Sequence, residues 1–360
     1  MKNKEMKNEE CRMKNENYPA KEQGEIHSSF GSEATILHSS FKRSDHSSFK
    51  RSDHSSFKRS ASSFYILHSS FNLGFSACGI ARADKVDEKN AQAFRDWIHT
   101  GKNAAMQYME NYEEKRLDPR LLLPGAKSII VVALNYFPKE RLADHQLQFA
   151  YYAYGKDYHD VMKDKLQQLA ALLPGEHKIC CDTVPMLDRY WACQAGLGWI
   201  GKNTNLIIPH AGSFFFLGEI ITTATFDTYN TPMPNHCGTC ENCLQACSTG
   251  ALSTNGLDAN RCLSYLTIEN RNAIPQAEAQ VMGNYIYGCD RCQLCCPHNR
   301  FAQATEIDEF SPSEEFLSMT PDDWKNLSEE DYRRLFKGSA VKRAKYAGLK
   351  RNIDSALSND

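Results

Sequence analysis

From about residue 71 onward, short apolar runs alternate with amphipathic stretches, and this alternation predicts a layered domain. Residues 127–136 (KSIIVVALNY) form a continuous apolar run of strand length, β-branched at its centre, as expected of a strand buried on both faces. Residues 78–83, 177–182 and 214–223 read as further strands. Helices are predicted at 91–99, with Phe94, Trp97 and Ile98 on one face, at 161–173, ended by Pro174 and Gly175, and at 189–195. Residues 64–71 make a helix-like approach to Leu73-Gly74-Phe75, and 321–357 read as a helical tail.

Residues 1–70 have a different texture. The unit HSSFKRSD occurs at 38–45 and 46–53 and degenerates at 54–61, while HSSF recurs at His27 and His68. One Phe per unit among Ser, Lys, Arg, Asp and His buries too little surface to offset the entropy of ordering, so a low-complexity, disordered leader is expected. A basic tether for nucleic acid is the alternative.

The 360 residues are 41% hydrophobic and 24% charged, ordinary for a globular chain, and the net charge of −2 excludes a uniformly basic nucleic-acid coat. The longest apolar run, 129–134, is far too short to cross a bilayer, and no membrane association is expected. With no apolar signal stretch or twin-arginine motif in residues 1–19, a cytoplasmic location is expected.

Nine of the fourteen cysteines lie between Cys237 and Pro297. Cys237, Cys240, Cys243 and Cys247 read C-x2-C-x2-C-x3-C, the spacing of bacterial two-cluster ferredoxins; Cys289, Cys292 and Cys296 read C-x2-C-x3-C before a proline. Three thiolates two residues apart can wrap one cubane while the fourth reaches another. A zinc ribbon needs only four ligands and leaves Cys243 and Cys247 unexplained. The fold class expected is therefore α+β: an α/β-layered domain at 71–230, a two-[4Fe–4S] ferredoxin-like domain at 231–305, and a helical, basic C-terminal segment at 306–360.

Two further motifs can carry chemistry. Residues 196–204 (GLGWIGKNT) place three glycines and a lysine where a backbone could approach a ligand, but Asn203 stands where a phosphate-binding loop needs Ser or Thr. A tight helix-to-strand connection is the plainer reading. Asp182 closes a short apolar strand, a usual position for a ligand-binding carboxylate, or else caps a helix starting near Pro185.

Read together, CDTVPMLDRYWACQAGLGWIGKNTNLI, HCGTCENCLQACSTGAL, RCLSYLTIENR and YGCDRCQLCCPHN resemble the epoxyqueuosine reductase family. The likeness extends through RLDPRLLLPGAKS, YGKDYH and FKGSAVKRAKYAGLKRN and covers about residues 72–352. It implies a cobalamin-dependent enzyme with two clusters that reduces epoxyqueuosine to queuosine at the tRNA wobble position. By the family pattern Cys237, Cys240, Cys243 and Cys296 hold one cluster, and Cys247, Cys262, Cys289 and Cys292 the other. Cys295 is then spare, a buried apolar thiol. The base-off corrinoid is expected in the α/β domain near one cluster, with Arg116, Tyr154, Asp157, Tyr158, Gly198, Lys202, Asn203 and Thr204 lining it or the modified base. Asp182 is the implied proton donor, a role that calls for a carboxyl kept partly neutral near pH 7 by burial. A monomer fed by an external single-electron donor is expected.

From Arg333 to Arg351 eight Lys or Arg residues occur with no acidic residue between them, and Lys342, Arg343 and Lys345 are the expected tRNA contacts. A corrinoid reductive dehalogenase and a plain electron-transfer ferredoxin subunit are the competing readings.

Overall fold

The computed structural model of the chain describes residues 61–358; the HSSF units at 27–57 lie outside the described residues. The copy at 68–71 belongs to the first described helix, α1 (Ser63–Asn72), whose start is capped by the Ser62 side chain.

A four-stranded sheet organises the molecule. Strands β1 (Ala77–Arg82), β2 (Ser128–Asn135), β3 (His177–Cys180) and β4 (Phe215–Thr222) lie in the order β1-β2-β4-β3, every neighbour antiparallel. The run at 127–136 is the doubly buried strand expected of it, although such runs are the habit of parallel sheets. The reason lies in the layers. Ile129, Val131 and Ala133 face a cluster closed by Trp191 and Ala91, from α4 (Asp188–Gln194) and α2 (Glu88–His99). Ile130, Val132 and Leu134 face a second cluster closed by Met162, Leu166 and Leu169 of α3 (Tyr158–Ala170).

That second cluster continues through Leu263, Leu266 and Ile286 to Trp324, Phe336, Leu349 and Ile353. Residues 321–357 are therefore not a loose tail. They break into Pro321–Lys325, Glu329–Leu335, a 3-10 turn at Ala340–Ala344, and α5 (Lys345–Leu357), and they pack into the core. The apolar spacing of the segment reports this burial; the breaks follow from the caps at Thr320 and Ser328, whose side chains accept bonds from Asp323 and Asp331. Among the described residues no helix is long and apolar enough to cross a membrane.

Candidate cluster and catalytic site

The thiols sort into two sets. Cys237, Cys240, Cys243 and Cys296 line a cavity of about 140 Å³, and Cys247, Cys262, Cys289 and Cys292 line another of about 290 Å³. The backbone explains the exchange of the fourth ligand. Cys243 sits inside the short helix Asn242–Ala246, while Cys247 follows it in an extended conformation (φ −72°, ψ 97°) and turns away. Cys296 leaves its helix in the same manner (φ −73°, ψ 123°). Among the described residues no group of three or more His, Cys, Asp or Glu is arranged to hold a single metal ion. Thiols spread around a cavity suit a cubane better than one zinc. Cys295 lines neither cavity; it is buried, and its Sγ donates to the Cys292 carbonyl at 3.7 Å.

The glycine-rich loop serves both readings made of it. Gly198 belongs to the helix-to-strand connection: a Cβ there would stand 2.1 Å from the Ile207 carbonyl oxygen, across the hairpin of Trp199–Ile200 and Leu206–Ile207. Gly198→Ala should therefore lower stability by at least about 1–3 kcal/mol, the usual penalty of overpacking, read as a fall in the denaturant midpoint. Lys202 and Asn203 reach the backbone of the cysteine segments instead. Lys202 Nζ donates to the Cys240 carbonyl at 2.9 Å, and buried Asn203 donates to the Cys292 carbonyl at 3.1 Å. Asn203 borders both cavities. Thr204 has a left-handed backbone (φ 64°), unfavourable for a β-branched residue, and its carbonyl accepts from Arg189 at 2.5 Å.

Asp182 also holds a left-handed backbone (φ 54°), two residues past Cys180, the last paired residue of β3. It caps no helix, because α4 begins at Asp188 with Leu187 at its N-cap position. Its side chain is 63% accessible. His159 Nε2 stands 3.4 Å from it, and Tyr158 hydrogen-bonds it from α3. Behind them, His159 Nδ1 lies 2.7 Å from Asp157, which meets Lys342 Nζ at 3.2 Å.

These contacts set the charges. Hydrogen bonds to Asp157 and then to Asp182 push the His159 imidazole up to about 9. The same His159 bond holds Asp157 at about 2. Asp182 is held below the ordinary carboxylate range, chiefly by His159, so the expected neutral, burial-raised acid is corrected: the proton rests on the histidine of the pair. His159 was missed in the sequence although it ends the YGKDYH motif.

Other expected residues fall differently. Arg116 is buried, its terminal nitrogens donating to the Met186 and Tyr108 carbonyls. Tyr154 is not brought to Asp182: its ring packs on Tyr151 and Phe316 in the core and its hydroxyl accepts from the Leu142 amide. Arg189 lines the larger thiol cavity and is coupled electrostatically to Asp182. It is exposed at the surface, and desolvation by the surrounding protein lowers its pKa.

The basic run is not free of opposite charge. Arg333 pairs with Glu329, Arg334 with Glu315 and Asp331, Arg343 with Glu269, Lys342 with Asp157 and Lys350 with Asp354. All six acids lie outside 333–351, and three of them, Asp157, Glu269 and Glu315, come from other segments, which a count within that run does not see. Among the three expected tRNA contacts, Lys345 alone shows no such pair, and it is exposed.

Comparison with known proteins follows this geometry. Residues 116–188 match the family model described as epoxyqueuosine reductase QueG, DUF1730, and residues 236–299 match the 4Fe-4S double cluster binding domain. The epoxyqueuosine reductase of Cellulophaga algicola is 44% identical over 291 residues, 79% of this chain and 94% of that protein. The chain belongs to the epoxyqueuosine reductase family. The Gloeobacter violaceus reductase is 41% identical over 297 residues, 79% of this chain and 92% of that protein. A crystal structure of epoxyqueuosine reductase with a tRNA-Tyr epoxyqueuosine-modified stem loop superposes with a TM-score of 0.75 at 30% identity, covering 82% of this chain and 80% of that one. The Bacillus subtilis enzyme, described with an aspartate catalytic loop swung out of the active site, gives 0.74 at 28% identity, covering 82% and 81%. Family membership favours the reductase over the dehalogenase and ferredoxin readings, and the match of residues 236–299 shows a domain that binds two 4Fe-4S clusters.

Proposed function

We propose that this oxidoreductase removes the epoxide oxygen of epoxyqueuosine in tRNA by bringing electrons and protons to one recess from two sides. The observation that carries this reading is Arg189, which lines the Cys247, Cys262, Cys289 and Cys292 cavity and lies within electrostatic reach of Asp182. The electron side is the two clusters in the ligand sets given above, charged one electron at a time by an external donor.

A corrinoid lying between the two sides would be held by Arg189, Asn203 and Thr204, which line the larger thiol cavity, and by Tyr158 and Asp182, which touch each other. When bound, it supplies strongly reducing electrons to the substrate carbon. The protein's own residues manage the proton. Asp182, which is accessible, relays to the departing oxygen the one proton that its pair with His159 holds, and Asp157 stabilises the charge of that histidine. Lys342 fixes Asp157. The catalytic aspartate loop described for the Bacillus subtilis enzyme supports this assignment, because Asp182 also lies on an exposed loop.

The stem loop bound to the relative supports tRNA docking over this recess. Arg343 lies close enough to Tyr108 and Asp182 to sense both charges, which puts the basic segment at the rim. Lys345→Ala should weaken tRNA binding and reduce the salt slope by about one, with kcat unchanged. Lys342→Ala should lower kcat as well, since it releases Asp157. The whole reading is tested by anaerobic purification and assay on epoxyqueuosine-containing tRNA: about one cobalt per chain and formation of the alkene are expected, and full turnover by cobalt-free protein overturns the corrinoid step.

A further inference from the structure

Removing an epoxide oxygen as water consumes two protons with the two electrons: one when the C–O bond opens and a hydroxyl forms, one when that hydroxyl leaves as water. Asp182 holds one exchangeable site. With cofactor and tRNA seated over the recess, solvent no longer reaches it freely, so a second proton must come from the protein side.

Glu219 is the residue placed to supply it. It stands on β4 between Val131 and Cys180 in an otherwise apolar strand, and it is 0% exposed. Its side chain shares a sheet face with Leu217 and Ile221, toward α4. There it meets Asp188, the first residue of that helix. Asp188 Oδ1 and both Glu219 oxygens are buried without a hydrogen-bond donor. Trp191 Nε1, in the same core, is likewise unpartnered and donates to neither. Two carboxyls in contact without a donor cannot both be ionised.

The surroundings favour the same state. Burial raises Glu219, and burial followed by the Asp182 charge raises Asp188 to about 6. Cys180 and Cys181, on the β3 side, are themselves pushed up by burial and stay neutral thiols. Arg116 and Arg189 are the cations in range, but Arg116 is held by the Met186 and Tyr108 carbonyls and Arg189 by that of Thr204. Neither forms an ion pair with Asp188 or Glu219. Asp188 is half-buried and feels the Asp182 charge, whereas Glu219 is sealed.

We propose that Glu219 and Asp188 share one proton beneath the recess and return it to Asp182 after its first transfer, supplying the second proton of each turnover. This rests on the reading of Asp182 as the group that protonates the departing oxygen. Glu219 acts through Asp182 and touches no substrate atom. Once the water has left, the emptied pair takes a proton back from solvent as the site opens.

The test uses holoenzyme. Infrared spectra at neutral pH should contain a protonated-carboxyl C=O stretch that is lost in Glu219→Gln and that titrates away in the wild type as pH rises. Glu219→Gln should turn over about 10- to 100-fold more slowly with KM for tRNA unchanged, and a small added acid, such as imidazolium, should restore its rate in proportion to concentration. Wild type should not respond to that acid. Asp188→Asn, altered at the half-buried end, should show the same slow, rescuable turnover and serves if Glu219→Gln does not fold. Wild-type kcat and pH profile in these variants, or slow turnover that added acid does not restore, overturns the proposal; so does a wild-type spectrum without the carboxyl stretch. Should Asp182→Asn turn over normally, the Asp182 reading fails instead, and the carboxyl stretch of the Glu219 pair survives that result.

Discussion

Asp182→Asn is expected to retain both clusters and bind tRNA but lose about 10²- to 10⁴-fold in kcat, the range general acid catalysis supplies. Asn fills the same space on the left-handed residue and tolerates that backbone, so the loop is preserved while the proton is not. The pH dependence gives an independent check. His159 carries the proton of the pair up to about 9, so wild-type kcat should fall as pH rises through that value. Asp157→Asn removes the largest cause of the shift, and the alkaline limb should move toward the ordinary histidine range. The same linkage applies to stability. His159 has a folded-state pKa above its unfolded value of 6.5, so its contribution is complete below 6.5 and lost as pH rises through about 9. A variant with normal kcat at Asp182, or an unmoved limb in Asp157→Asn, removes this pair from the chemistry.

What the sequence disclosed, and what it hid, divides along a physical line. Strand β2 was legible because its side chains are apolar over a strand's length, β1 and β4 because theirs are mostly so, and the clusters because C-x2-C-x2-C-x3-C has few other uses. Antiparallel order was not, since burial of both faces of β2 depends on which layers cover it. The basic run looked unpaired because Glu269, Glu315 and Asp157 lie far away in the chain, and ion pairing is set by tertiary neighbours. Likewise, the acidity of Asp182 could not be read from its strand-end position. Burial alone would raise it; His159, brought from α3, reverses the sign. Glu219 left one visible trace, a lone carboxylate in FFLGEIIT, whose meaning depends on Asp188 arriving from another helix.

Cys262→Ser should leave about four of the eight irons of the two clusters and abolish turnover. Cys262 lies outside both compact cysteine runs, at the start of the helix Leu263–Ile268, yet it lines the larger cavity with Cys247, Cys289 and Cys292. A serine there offers a poor ligand to iron, and that cubane is left with three thiolates. The other set has its own cavity and keeps its cluster. Because the cavity that loses its cluster is the one bordered by Arg189, the surviving cluster cannot replace its electrons at the recess. Cys295→Ser is the matched control. Its sulfur is buried outside both cavities and donates to a backbone carbonyl, a bond that a serine hydroxyl can also make, so iron content and turnover should stay near wild type. Iron analysis with low-temperature paramagnetic resonance of the reduced proteins separates the cases. Half the iron missing in Cys295→Ser, with Cys296→Ser intact, would exchange those neighbours as ligands; full iron in Cys262→Ser would require the larger cavity to find its fourth ligand elsewhere.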